Sequence, residues 1–168
     1  DHERAVAEIA LSFKTQIQEW KNTLLRGADA PALDKHWGAF AKHEQAVGEL
    51  TRRLQGQLPD GEGRALLSRF NEAHATMGVN YRKSFEAFKQ AQFDAKVGDK
   101  GVQGMDREPA KLLDEVSAKI KASSVAAAKL AATSGQNTTS VSLALMLAVS
   151  ALSIGGGVWL SRSIIAQL

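Results

Sequence analysis

The sequence predicts an all-α protein: an antiparallel up-down-up-down four-helix bundle whose helix 4 continues into a transmembrane helix. Three observations carry this. Apolar residues recur in four stripes at alternating spacings of 3 and 4, the mark of helices that pack along a heptad seam. Short turns bearing glycine or proline separate the stripes. Residues 141–160, VSLALMLAVSALSIGGGVWL, carry no charge, and twenty helical residues rise about 30 Å, the thickness of a bilayer's hydrocarbon core.

The first helix, about 1–26, places Val6, Ala10, Phe13, Ile17, Trp20 and Leu24 on one seam and stops at Arg26-Gly27, with Pro31 beyond. The second, about 33–58, carries Leu33, Trp37, Phe40, Glu44, Val47, Thr51, Leu54 and Leu58, and ends at the turn Pro59-Asp60-Gly61. The third, about 62–93, carries Leu67, Phe70, His74, Met77, Tyr81, Ser84, Phe88 and Ala91. Residues Val97–Met105 are rich in glycine and without period, and read as a loop. Asp106 is an N-cap signal, with Glu108 and Pro109 in the first turn of a fourth helix, about 106–140. Its stripe is Leu113, Val116, Ile120, Ser123, Ala127 and Leu130. Short connections make neighbours antiparallel, so the first and fourth helices point their far ends at the bilayer. Asp1 falls short of the matching level on the fourth helix, which leads us to expect a further membrane span upstream of it.

The apolar run lies at the end of the chain, which excludes a signal peptide, and DHERAVAE at the start is charged and helix-like. Trp159 suits an interfacial aromatic and Arg162 a cytoplasmic flank. The net charge of +3 is scattered, without the Lys/Arg block of a nucleic-acid surface. There is no cysteine, hence no disulfide, thiolate metal site or attached c-type haem. No nucleophile elbow, phosphate-binding glycine loop or HExxH occurs, and no catalytic constellation is visible, so the protein is not expected to be an enzyme. His36 and His43 sit outside the apolar seam, and no Glu-x-x-His pair falls on it, so no cofactor or metal is expected.

The tail Ser163-Ile164-Ile165-Ala166-Gln167-Leu168 resembles the opening of a HAMP linker, S-I-x-x-P-L, with glutamine in the place of proline. The segment QEWKNTLLRG, Gln18 to Gly27, followed by Trp37 and Phe40, resembles the periplasmic four-helix bundle of bacterial methyl-accepting chemotaxis proteins. This resemblance implies a transmembrane chemoreceptor of the bacterial inner membrane. Residues 1–140 would be the periplasmic sensor, 141–160 the span and 161–168 the start of a HAMP-like cytoplasmic linker. It also implies a homodimer that binds a small molecule, directly or through a binding protein, and a cytoplasmic kinase complex controlled by a displacement of helix 4. The sensor of a membrane histidine kinase or cyclase, and a helical bundle that only tethers something to the membrane, are the rival readings.

Reflection about the turns places Trp20, Phe40, Tyr81 and Ile120 at one level, an aromatic layer in the distal half. Lys21, Arg26, Trp37, Arg82 and Lys83 lie nearby, and cations beside aromatic rings hold carboxylates. The candidate ligand residues are therefore Trp20, Lys21, Trp37, Tyr81, Arg82 and Lys83, for a small ligand such as an organic anion. The competing reading makes the rings core and the cations solvated flanks. Glu44 and His74 fall level on adjacent helices and are expected to pair as a buried polar layer.

Overall fold

The computed structural model describes residues 2–133 and Met146. Their regular structure is entirely helical, with no strand among them. The chain divides into two units, Asp1–Ala122 and Ser123–Leu168.

In the first unit, α1 spans His2–Arg26, α2 Ala30–Gln57, α3 Glu62–Gln90 and α4 Ala95–Lys100. A fifth helix, α5, begins at residue 107. The local chemistry explains the boundaries. The Asp29 carboxylate accepts from the Ala32 amide at 3.0 Å and Pro31 stands in the first turn, so α2 starts at Ala30. After α3, Gln92 and Phe93 both take left-handed backbone, with φ of 53° and 64°, which turns the chain sharply. Asp94 then caps α4, its side chain accepting from the Lys96 amide at 2.9 Å. The region from Val97 expected as loop is thus partly helical, because a capping aspartate and the fit of Gly98 against Leu24 and Phe88 give a short helix somewhere to pack. Ser84 Oγ donates to the Gly98 carbonyl at 2.6 Å and fastens α4 beside the last turns of α3.

The predicted stripes form the core. Val6, Phe13 and Trp20 of α1, Phe40, Val47 and Leu54 of α2, Leu67, Phe70, Met77 and Phe88 of α3, and Leu113, Val116 and Ile120 of α5 are buried in one cluster. Side-chain pairs run in opposite order along α2 and α3: Trp37 meets Phe85, Phe40 meets Tyr81, and Glu44 reaches Gly78. Along α1 and α3 they run in the same order: Phe13 with Phe70, Gln16 with His74, Trp20 with Tyr81. Ile120 does not reach the aromatic layer. Its neighbour Lys119 pairs with Glu62 at the opposite end of α3, because α4 occupies the space beside the last turns of α3 and α5 starts lower down.

In the second unit, residues 123–133 are helical and exposed. Ser123, Ala127 and Leu130, expected to continue the buried stripe, are among them, Leu130 at 70 %. A helical face is buried only where another element covers it, and residues 123–133 are a single stretch of helix. Among the described residues no helix is long and apolar enough to cross a membrane. The charge-free stretch 141–160 lies outside them apart from Met146, as does the 161–168 tail.

Candidate functional site

The aromatic layer exists and is filled by its own rings. Trp20, 2 % exposed, contacts Trp37, Phe40 and Tyr81 at centroid distances of 6.2, 6.3 and 5.2 Å. Trp37 lies flat between Phe40 and Phe85, at 4.9 and 3.9 Å. Edge and offset contacts of this kind stabilise a core beyond the area they bury. The Tyr81 phenol is pushed well above its ordinary range by burial, and further by the Asp106 and Asp99 carboxylates, so it stays a neutral group.

The predicted cations do not join these rings. Lys21, Arg82 and Lys83 are exposed. Arg82 is committed to Glu44, donating from Nη1 at 2.7 Å and from Nη2 to the other carboxylate oxygen. Glu44 holds the guanidinium above its ordinary value chiefly through that hydrogen bond. The expected hydrogen bond between Glu44 and His74 is therefore not made. His74 Nε2 meets Gln16 Oε1 of α1 at 2.8 Å, while Glu44 acts on it only through its charge. The reason is rotameric: the Glu44 side chain runs outward over Gly78 towards water and Arg82, rather than inward. His36 is a second correction. It is buried at 6 % and its Nδ1 meets Glu19 Oε2 at 2.6 Å, because the buried arc of α2 is wider than a two-position seam.

Burial is the larger influence on His74 and lowers its proton affinity, against the raising effect of Glu44. A base depressed in the folded state contributes stability that is full above its unfolded value, about pH 6.5, and is lost as pH falls through the folded value. The thermal midpoint is expected to fall on acidification, and His74→Gln to flatten that part of the slope. Parallel melting curves of the two proteins over the acidic range check this.

Of the predicted site residues, Lys21 lines an open groove. A groove of about 350 Å³ between α1 and α5 has Ala10, Phe13, Ile17, Ala110 and Leu113 as its apolar floor. Lys14 and Lys21 stand on one wall and Asp106 and Asp114 on the other. Among the described residues none of these four charged groups makes an ion pair. Lys21 also borders a second, largely apolar groove of about 340 Å³ with Leu24, Leu25, Ala95, Lys96 and Asp99. Sequence reasoning missed Lys14, Asp106 and Asp114 as a group. Their signal was present as polar residues flanking the seam of each helix, but which flanks face each other depends on helix rotation. Among the described residues no group of three or more acidic or histidine side chains is placed to hold a metal.

No family model matches the sequence and no solved structure matches the fold. One curated relative does match, over a stretch that spans 18 % of that protein's own length. The resemblance read from the sequence holds: over 102 residues, 61 % of its length, the chain is 39 % identical to the methyl-accepting chemotaxis protein CtpH of Pseudomonas aeruginosa.

Proposed function

We propose that this chain is the sensory and membrane-proximal part of a transmembrane chemoreceptor. Residues 1–140 form a periplasmic antiparallel four-helix bundle, 141–160 cross the inner membrane, and 161–168 open a HAMP-like linker. The similarity to a chemotaxis receptor is the observation that carries this reading, and the opposite order of side-chain pairs along α2 and α3 supports the topology. The module works as a homodimer and signals to a cytoplasmic kinase complex by a small displacement of the helix that enters the membrane. Such a rod transmits movement when the bundle has two arrangements that a ligand biases.

The ligand site is the groove between α1 and α5 rather than the aromatic layer, whose rings leave no room. Unpaired lysines over an apolar floor suit a small organic anion, and the two aspartates restrict it to one that keeps its charge near Lys14 and Lys21. A thermal-shift screen against organic acids, amino acids and aromatic compounds tests this. A ligand present at a hundred times its Kd stabilises by about 2.7 kcal/mol. Lys21→Glu is expected to abolish the shift given by any carboxylate hit while leaving the unliganded melting temperature within about 2 °C, since an exposed charge contributes little to stability. A screen without hits, or a hit indifferent to Lys21→Glu, would remove the proposed site.

A further inference from the structure

His74, Gly78 and Arg82 lie one turn apart on a single stripe of α3, with about 6 Å between successive members. Glu44 of α2 lies across the middle of that stripe. Its carboxylate takes both Nη atoms of Arg82 and sits so close over Gly78 that a Cβ there would overlap Oε1. On the other side of Gly78, His74 is buried at 4 %. Its Nε2–H donates to Gln16 Oε1, an amide oxygen that only accepts, which leaves Nδ1 as the basic atom. Among the described residues, the groups packed around the imidazole are neutral apart from Glu44. α1 presents the neutral Gln16 amide and the Phe13 ring, and α3 the Phe70 ring. α5 contributes apolar Leu112, Leu113, Val116 and Ile120 to the core, and α4 packs at the far end by Ser84 and Phe88. Glu44 from α2 is the charged group that acts on His74.

We propose that the module responds to pH by moving Glu44 between two partners: Arg82 while His74 is neutral, and the His74 imidazolium once a proton is taken up at Nδ1. The proton comes from solvent and only hydrogen bonds change. The energetics favour the exchange because the two cations differ in exposure. The Arg82 side chain is 53 % exposed and water rehydrates it when its carboxylate leaves. A charged His74 has no such recourse, and an unpaired charge in the core is costly. Gly78 leaves the path between the two partners clear of side chain. The exchange draws Glu44, and α2 with it, towards the start of α3. That this displacement is a signal rests on the sensory reading above; the exchange itself does not.

The test is an NMR titration of the full 168-residue chain in detergent solution, from about pH 8 to about pH 5, following the His74 Cε1–H, Glu44 Cδ and Arg82 Nε–Hε resonances. The three are expected to shift together with one midpoint. His74→Gln should abolish the movement of Glu44 and Arg82. Glu44→Gln should move the His74 midpoint to lower pH, since the attracting charge is gone. Gly78→Ala should uncouple Arg82 from His74 by displacing the carboxylate. Glu44 and Arg82 resonances that stay put while His74 titrates would overturn the proposal. So would their movement persisting in His74→Gln, or a His74 that keeps its neutral signature to the end of the range. A failed ligand screen leaves these outcomes untouched, so the two readings fail separately.

Discussion

Phe40→Ala is expected to destabilise the first unit by about 3–5 kcal/mol, the usual cost of truncating a fully enclosed phenylalanine. Phe40 is 0 % exposed and touches rings from three helices: Trp20 of α1, Trp37 one turn away on α2, and Tyr81 of α3 at 5.5 Å. Those rings belong to long helices held by other contacts, so they cannot all close on the space left behind. For a unit of this size the loss corresponds to a fall in Tm of roughly 10–20 °C. Thermal and urea unfolding followed by circular dichroism measure it. A cost below about 1 kcal/mol would mean that the layer is looser than its geometry indicates, and would restore the aromatic cage as a ligand site.

Gly27→Ala is expected to cost about 1–3 kcal/mol, the range for forcing atoms into a packed site. A methyl group at Gly27 would overlap the Thr23 carbonyl and approach Leu33 Cδ1 and Phe88 Cε1 at 2.9 Å each. The carbonyl is backbone within the last turn of α1, so relief requires that turn to unwind. Alanine offsets part of the loss by restricting the unfolded chain, by about 0.4–1 kcal/mol. Leu33 and Phe88 join the start of α2 and the end of α3 to this corner. The strain should therefore also appear as faster hydrogen exchange at the Asp29 and Leu33 amides, which bond Arg26 and Asp29 carbonyls. A variant as stable as the parent, with unchanged exchange, would show that the corner yields without cost.

The helices and their buried faces were legible in the sequence to a large degree. The stripe through Leu67, Phe70, His74, Met77, Tyr81, Ser84 and Phe88 is buried along its length, because heptad spacing is a local property that any helix expresses in the same way. The pairing of Trp20 with Phe40 and of Phe40 with Tyr81 followed from short turns, which leave little freedom in register. Where the connection was long the same reasoning failed. Residues 91–106 fold into a left-handed turn and α4, and the register of α5 against α3 cannot be counted across a segment that builds structure of its own.

The polar contacts were the least legible. Glu44 and His74 were expected to pair with one another, yet each bonds a different partner. Glu19 with His36 and Gln16 with His74 join helices through residues that no period distinguishes from solvated flanks. The groove beside Lys21 was invisible for the same reason.

By itself the sequence determined that this protein is helical, most of the residues that enter its core, that the aromatic layer forms, and that residues 141–160 carry no charge. These depend on spacing along one chain and on the burial of apolar area, which has no direction. Only the tertiary structure decided that the rings fill their own cage, that Glu44 spans Gly78 to reach Arg82, and that Lys14 and Lys21 face Asp106 and Asp114 across a groove. A hydrogen bond or ion pair requires two side chains from different helices to meet within about 3 Å in compatible rotamers. Axial register, helix rotation and rotamer are fixed together only when the helices pack.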